Sequence, residues 1–213
     1  MANKDQKQVN WLSPRGEVIV RSFFSPDQIA SLTFKNVQTK YARYRPLVSH
    51  KEKLAERASK PDANVTLAHT RDGEIIGFGI LEYPPPEERW ARVGDRAAME
   101  VSAIEVNKPW RSRGISERIL QLLLDHPLKE DRILYMVGYS WTWDLDGKEM
   151  PAMAYRNMLM KLFSRHGFKS YQTNEPNVML RPENLFMARI GSHVPEEVQK
   201  KFKLVRFDLD RFV

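Results

Sequence analysis

Two apolar runs separated by an Asp-Gly turn place the strongest constraint on how this 213-residue chain folds. The runs cover residues 65–70 and 75–82, and Asp72-Gly73 lies between them. Asp-Gly readily adopts the backbone conformation of a tight hairpin turn, so the two runs predict adjacent antiparallel strands. The remaining elements must be built around this hairpin.

Further patterns extend the hairpin into a layered domain. Strand-type runs recur at 17–23, 99–106, 133–139, 169–173 and 185–190. Helix-type patterns begin at Ser25-Pro26 and after Gly114, and they cover 49–60 and 152–164. This order predicts an α/β (α+β) fold with a mixed, mostly antiparallel central sheet flanked by helices, in one domain over 1–213.

The segments outside this pattern have their own expectations. Residues 83–96 carry three consecutive prolines and many charges, which predicts an irregular surface loop. Residues 140–147 are expected to form an aromatic turn, and 1–12 a flexible segment. Residues 194–213 are a C-terminal extension in which Pro195 opens a predicted helix.

Residue types that are missing exclude several chemistries. The chain has no cysteine, which rules out disulfides, thiolate zinc sites and a cysteine nucleophile. The five histidines show no ligand-like spacing, so we expect no metal. Residues 75–81 are far shorter than the roughly 20 apolar residues that span a bilayer, and 1–10 lack a signal-peptide core. We therefore expect a cytoplasmic protein without a membrane partner.

The charge balance favours an anionic ligand. The 34 Lys and Arg residues against 27 Asp and Glu give a net charge of +7, which attracts phosphorylated molecules. The basic residues are dispersed, whereas nucleic-acid binding usually needs a continuous basic track. A small anionic ligand held by a few groups fits better than nucleic acid.

Residues 111–116, Arg-Ser-Arg-Gly-Ile-Ser, lie between a predicted strand and a predicted helix. Backbone N–H groups at a helix start converge on anions, and Gly114 permits close approach. Two solvated arginines at an ordinary helix entrance would give the same six residues. The segment alone leaves both interpretations open.

In its context, the pattern Arg111-x-x-Gly114-x-Ser116 resembles the diphosphate motif of the GNAT acetyltransferase superfamily, with Ser116 where glycine or alanine is more usual. The resemblance implies acetyl-CoA as acyl donor and a V-shaped splay between the central strands of the sheet. It implies that the coenzyme A diphosphate is bound by Arg111, Ser112, Arg113, Gly114, Ile115 and Ser116.

Longer strings resemble one family, the bacterial acetoin-utilisation protein acetyltransferases. These strings are Tyr83-Pro84, Glu88-Arg89-Trp90, Ala-Ile-Glu-Val at 103–106, Trp141 with Trp-Asp-Leu at 143–145, and Asn-Leu-Phe-Met-Ala-Arg-Ile-Gly at 184–191. The resemblance implies that the acceptor is a lysine of acetyl-CoA synthetase, and that acetylation switches that enzyme off.

Acyl transfer to a lysine needs a proton acceptor, because the amine has a pKa of about 10.4 and is protonated at neutral pH. Glu100 and Glu105 are the candidates on the predicted strand, about 16 Å apart along it. Glu105 would lie beside the diphosphate and repel it. Glu100 lies at the depth of an extended pantetheine arm and aligns with the general base of lysine-modifying relatives. We predict that Glu100 is catalytic; a surface glutamate in an ion pair is the alternative.

Other site residues follow from the resemblance. Ile104 and Val106 are expected to offer backbone groups to the thioester and pantetheine, and Asn157 aligns with a cofactor-contacting residue of relatives. Phe163 stands where the superfamily often has a tyrosine that protonates the departing thiolate, so no general acid is assigned.

The aromatic turn is the predicted acceptor-binding segment. Trp143 and Asp144 are expected to contact the lysine stem and its ammonium group. Trp141 is expected to pack in the core.

Two further functions remain open from the sequence. The same cofactor site would serve an acetyltransferase for a small amine, which a deep, closed acceptor pocket would favour. A noncatalytic acyl-CoA sensor or nucleic-acid-binding module would instead show salt-sensitive DNA binding without release of coenzyme A.

Overall fold

The computed structural model describes residues 5–35, 48, 50–145 and 150–211 of the chain. These residues form a mixed α/β fold with an eight-stranded sheet; numbered along the chain, its strands are hydrogen-bonded in the order 1-2-3-4-5-6-8-7. The chain divides into two compact units, Met1–Glu82 with Ser102–Pro127 and Tyr83–Val101 with Leu128–Val213. The predicted mixed, mostly antiparallel sheet is confirmed.

The first unit contains four antiparallel strands and the second half of a fifth. The strands are β1 (Gln8–Ser13), β2 (Gly16–Arg21), β3 (Asn64–Thr70), β4 (Ile75–Glu82) and β5 (Ala98–Val106). Leu67 lies opposite Phe78 across the β3–β4 pair, and both side chains are buried. This confirms the hairpin predicted from Asp72-Gly73.

Strand β1 includes residues 8–12 of the segment that was expected to be flexible, and residues 1–4 of that segment lie outside the described residues. Its residues pair with β2 from Gln8 opposite Arg21 to Ser13 opposite Gly16. Most of its side chains are exposed, and its polar–apolar alternation is limited to Val9 and Trp11, which is too short to predict a strand.

Three helices belong to the same unit: α1 (Pro26–Ala30), α2 (Lys51–Ser59) and α3 (Ile115–Leu124). The predicted start of α1 is confirmed, since Ser25 and Gln28 form a reciprocal capping box. Ser49, the first residue of the predicted second helix, lies outside the described residues. Helix α3 packs closely on the sheet at Gly79, which has no side chain. A Cβ there would lie only 2.7 Å from the Ile119 Cγ2 atom.

The second unit contains the first half of β5 with β6 (Ile133–Gly138), β7 (Lys169–Ser170) and β8 (Leu185–Ile190). Strands β5 and β6 are parallel, whereas β8 is antiparallel to both β6 and β7. The helices are α4 (Ala152–Ser164), α5 (Pro176–Met179) and α6 (Glu196–Arg206). The predicted bounds of α4 and β8 are confirmed, as is the helix that Pro195 opens.

An aromatic cluster forms the core of this unit. Trp90 stacks on Phe186 with ring centroids 4.2 Å apart, and both rings contact Tyr135 and Phe202. Trp90 lies on a 3-10 helix, Arg89–Val93. The prediction of an irregular surface loop over 83–96 is therefore wrong for this part, because its two buried apolar side chains are hidden among charged neighbours in sequence.

None of the helices in the described ranges has the length and apolarity needed to cross a bilayer.

Asn64 joins three segments of the first unit through buried hydrogen bonds. Its side-chain oxygen accepts the Phe23 backbone N–H at 2.9 Å, and its amide donates to the Leu122 and Leu123 carbonyls at 3.3 and 3.0 Å. The Asn64 side chain is fully buried. These bonds tie the first residue of β3 to the segment after β2 and to the end of α3.

We predict that Asn64→Ala lowers the free energy of unfolding by about 2–4 kcal/mol, because it leaves a buried N–H and two carbonyls without partners. Urea denaturation followed by circular dichroism measures the change. Asn10→Ala is the matched control, since the Asn10 side chain makes its hydrogen bonds at the surface and should change stability by less than about 0.5 kcal/mol. Equal midpoints for Asn64→Ala and the unaltered protein would contradict the role of Asn64.

Candidate active site

The side chains of β5 alternate between a half-buried and a buried face. Glu100, Ser102 and Ile104 are half-buried, whereas Val101, Ala103 and Glu105 are buried. Successive side chains of a strand point to opposite faces. Glu100 and Ile104 therefore share one face, and Glu105 belongs to the other.

Ser102 connects this face to a buried carboxylate that sequence reasoning missed. Its hydroxyl donates to Glu82 at 2.8 Å, and Glu82 also pairs with Arg57 and, at 2.9 Å, with Lys60. Both carboxylate oxygens are thus engaged. Glu82 and Ser102 are 20 positions apart in sequence, so only the pairing of strands brings them together.

The turn after β5 is held by its own arginines. The Arg111 Nε group donates to the Val106 carbonyl at 2.8 Å, and Arg113 donates to the Arg111 carbonyl at 2.9 Å. Ser112 and Gly114 have positive φ angles of 61° and 72°. Left-handed residues at such a turn redirect the backbone so that neighbouring N–H groups bind an anion.

Gly114 is the N-cap of α3, and a glycine offers no side chain to the N–H groups of the first helical turn. Those groups carry the positive end of the helix dipole. The Ile115 side chain is buried in the core, so only its main chain faces a ligand. The Arg113 Nε group is buried and has no hydrogen-bond partner among the described residues. This set of donors fits a diphosphate, and Ser116 follows on the same first turn.

Glu100 belongs to the second unit together with the predicted acceptor residues. It lies opposite Tyr135 in the parallel β5–β6 pair, and Tyr139 directly follows β6. Burial raises the pKa of Tyr139 above its usual range, and the charges of Glu175, Glu100 and Glu88 raise it further, against a hydrogen bond from Asn177. The Tyr139 hydroxyl therefore keeps its proton to a higher pH than the hydroxyl of an ordinary tyrosine.

Two aromatic pairs organise the segment after β6. Tyr139 stacks on Trp141 with centroids 4.9 Å apart, and Trp143 stacks on Tyr155 at 5.0 Å. Trp141 is 44% exposed, which corrects the expectation that it packs in the core; its ring is covered on one side by Tyr139. Residues 146–147 of the predicted aromatic turn lie outside the described residues.

The other predicted site residues of this unit differ in exposure. Asp144 is buried, and Asn157 is exposed on α4. Phe163 is fully buried and packs edge-to-face against Phe168, with centroids 5.2 Å apart. The position from which relatives are expected to donate a proton thus holds a core side chain.

Sequence reasoning also missed Glu88, Glu175 and Asn177, whose influence on Tyr139 is described above. Glu88 belongs to the string Glu88-Arg89-Trp90 quoted above, which assigned it no role, and Glu175 and Asn177 lie in a segment without a clear periodic pattern. Within the described ranges, no group of three or more His, Asp or Glu residues is arranged to hold a metal ion.

Comparison with known proteins identifies the class to which this fold and site belong. The family model for acetyltransferases of the GNAT family matches residues 31–143, which include β5 and the turn after it. The chain therefore belongs to the GNAT acetyltransferase family, whose members are acetyl-CoA-dependent N-acetyltransferases.

Particular relatives are similar over almost the whole chain. The acetoin utilization protein AcuA of Bacillus licheniformis is 31% identical over 193 residues, covering 91% of this chain and 90% of that protein. AcuA of Bacillus subtilis is 29% identical over 206 residues, covering 96% of each. The crystal structure of an acetoin utilization protein from Exiguobacterium sibiricum is 27% identical and has a TM-score of 0.89, with 100% of this chain and 98% of that chain covered.

We predict that Gly114→Ala destabilises the protein by about 1–2 kcal/mol, because alanine is strained at a positive φ. It should also weaken coenzyme A binding in calorimetry, since the strain shifts the N–H groups at the start of α3. Ser112→Gly is the matched control at the neighbouring left-handed residue, where glycine relieves strain, and it should not lower the melting temperature. Equal melting temperatures for the two variants would contradict the observed turn geometry.

Proposed function

We propose that this acetyltransferase transfers the acetyl group to a lysine of acetyl-CoA synthetase, with Glu100 as general base, in acetoin and acetate metabolism. The observation that carries the catalytic part is the position of Glu100 on the half-buried face of β5. The names of the AcuA relatives support the metabolic part.

The chain's residues have separate roles in this proposal. Arg111, Ser112, Arg113, Gly114, Ile115 and Ser116 bind the diphosphate through main-chain N–H groups and guanidinium groups. Backbone groups of Ile104 and Val106 orient the pantetheine arm and the thioester, and Asn157 adds a contact to the cofactor. Acetyl-CoA supplies the activated acyl group.

Glu100 takes a proton from the lysine ammonium, directly or through a water molecule, so that the neutral amine attacks the thioester carbon. Trp143 and Asp144 contact the lysine side chain. When the tetrahedral intermediate collapses, its nitrogen gives its second proton to water. Because Phe163 has no proton to give, the departing thiolate receives a proton from water. A thiolate is a good enough leaving group for this.

The acceptor is tested by incubating the protein with labelled acetyl-CoA and purified acetyl-CoA synthetase, followed by mapping of the modified lysines by mass spectrometry. We expect label on one or a few lysines and a matching loss of synthetase activity. Label that appears only on small amines added to the mixture would contradict a protein acceptor.

We predict that Glu100→Gln lowers kcat by about 10²–10⁴-fold, the usual contribution of a general base. Acetyl-CoA affinity should stay nearly unchanged, because in this proposal Glu100 acts on the acceptor amine, whereas residues 111–116 bind the cofactor diphosphate. The residual rate should rise with pH towards the lysine pKa of about 10.4, since the amine then loses its proton to solvent.

Glu87→Gln is the control for this experiment, because Glu87 is an exposed carboxylate of the same unit and should leave kcat unchanged. An unaltered rate for Glu100→Gln at both neutral and high pH would remove Glu100 from the mechanism.

A further inference from the structure

Helix α5 and the segment after β6 expose large apolar side chains. Met179 and Leu180 are each 68% exposed, and Trp141 is 44% exposed. We call these three residues the α5 surface. Large apolar side chains grouped at the surface mark sites of protein association more often than isolated ones do.

The α5 surface is held in place by buried hydrogen bonds. The Asn184 side chain is buried, accepts the Ser140 N–H at 2.7 Å and donates to the Asn177 carbonyl at 2.6 Å. The Glu175 carboxylate caps α5 by accepting the Val178 N–H at 2.6 Å. Asn184 therefore ties α5 to the segment that carries Trp141.

One side-chain contact and the continuity of the chain place the three apolar residues near one another. The Arg181 guanidinium lies 5.8 Å from the centre of the Trp141 ring, and Arg181 directly follows Leu180 in the chain. Because hydrogen bonds from Asn184 hold the backbone, little backbone entropy is lost when a partner covers this region.

The α5 surface also adjoins a group of carboxylates. The Glu175 carboxylate lies at the start of α5, where it accepts the Val178 N–H. Tyr139 stacks on Trp141, and the charges of Glu175, Glu100 and Glu88 raise its pKa. Arg181 adds one cation at Trp141 beside these three carboxylates. An apolar surface beside anionic groups is complementary to a protein surface that carries a lysine beside apolar side chains.

We propose, on the basis of the proposed function, that the α5 surface docks the protein that carries the acceptor lysine. Apolar side chains of that protein cover Trp141, Met179 and Leu180, while its lysine ammonium faces the carboxylates. Docking outside the reacting groups supplies binding energy that a free amine or a short peptide does not provide. The α5 surface thus selects a protein acceptor.

The test is the double variant Met179→Ser/Leu180→Ser, assayed with acetyl-CoA synthetase and with a short peptide that contains the mapped lysine. We expect kcat/KM for the synthetase to fall about tenfold or more, mainly through KM. The rate with the peptide and the affinity for acetyl-CoA should not change, because neither needs the α5 surface.

Leu12→Ser is the matched control. Leu12 is 78% exposed on β1, in the other unit, so this variant removes a similar apolar side chain away from α5. It should leave kcat/KM for both acceptors unchanged. An equal loss in Leu12→Ser would show a general surface effect and overturn the proposal.

Other outcomes separate the failure of docking from the failure of the proposed function. If the unaltered protein acetylates the synthetase and the double variant does so equally well, docking at α5 is wrong and the proposed function stands. If the unaltered protein does not modify the synthetase, both are wrong. If sedimentation shows that the double variant turns a dimer into a monomer, the α5 surface binds a second copy of this chain and the docking proposal fails.

Discussion

The alternation of side chains along β5 is the constraint on which the candidate site depends. One face of the strand carries Glu100, Ser102 and Ile104 at half-buried positions, and the other places Glu105 in the protein interior. A shift of one residue in the strand register would exchange the two faces and bury Glu100. The pairing of Glu100 with Tyr135 on one side and the bond from Ser102 to Glu82 oppose such a shift.

The turn after β5 shows how the candidate anion site uses mainly the backbone. Its two arginines donate to main-chain carbonyls of the same segment, so their positions are set by the fold before any ligand binds. The left-handed residues Ser112 and Gly114 then orient the N–H groups at the start of α3. For binding an anion, the buried side chain of Ile115 therefore matters less than the backbone freedom of Gly114 does.

Sequence patterns predicted the elements that have strong periodicity or punctuation. Asp72-Gly73 located the β3–β4 hairpin, and the apolar spacing of α4 gave its bounds. Strand β1 was not found because its alternation covers only Val9 and Trp11. Helix α5 has only four residues, too few to show a period. Other contacts join residues that are far apart in the chain. Ser102 bonds to Glu82, and the charges of Glu175, Glu100 and Glu88 act on Tyr139. A single sequence carries no local signal for such contacts.

The free energies of the two proton transfers explain why a buried phenylalanine at 163 is compatible with the proposed chemistry. At pH 7, removing a proton from an amine with a pKa of about 10.4 costs about 4.6 kcal/mol, at 1.36 kcal/mol for each pH unit. Releasing a thiolate whose thiol has a pKa of about 8.5 costs only about 2 kcal/mol more than releasing the thiol. The larger demand falls on the base. In the proposed mechanism, Glu100 on the half-buried face of β5 lowers the larger of the two costs, and only the smaller cost is left to water by the phenylalanine at 163.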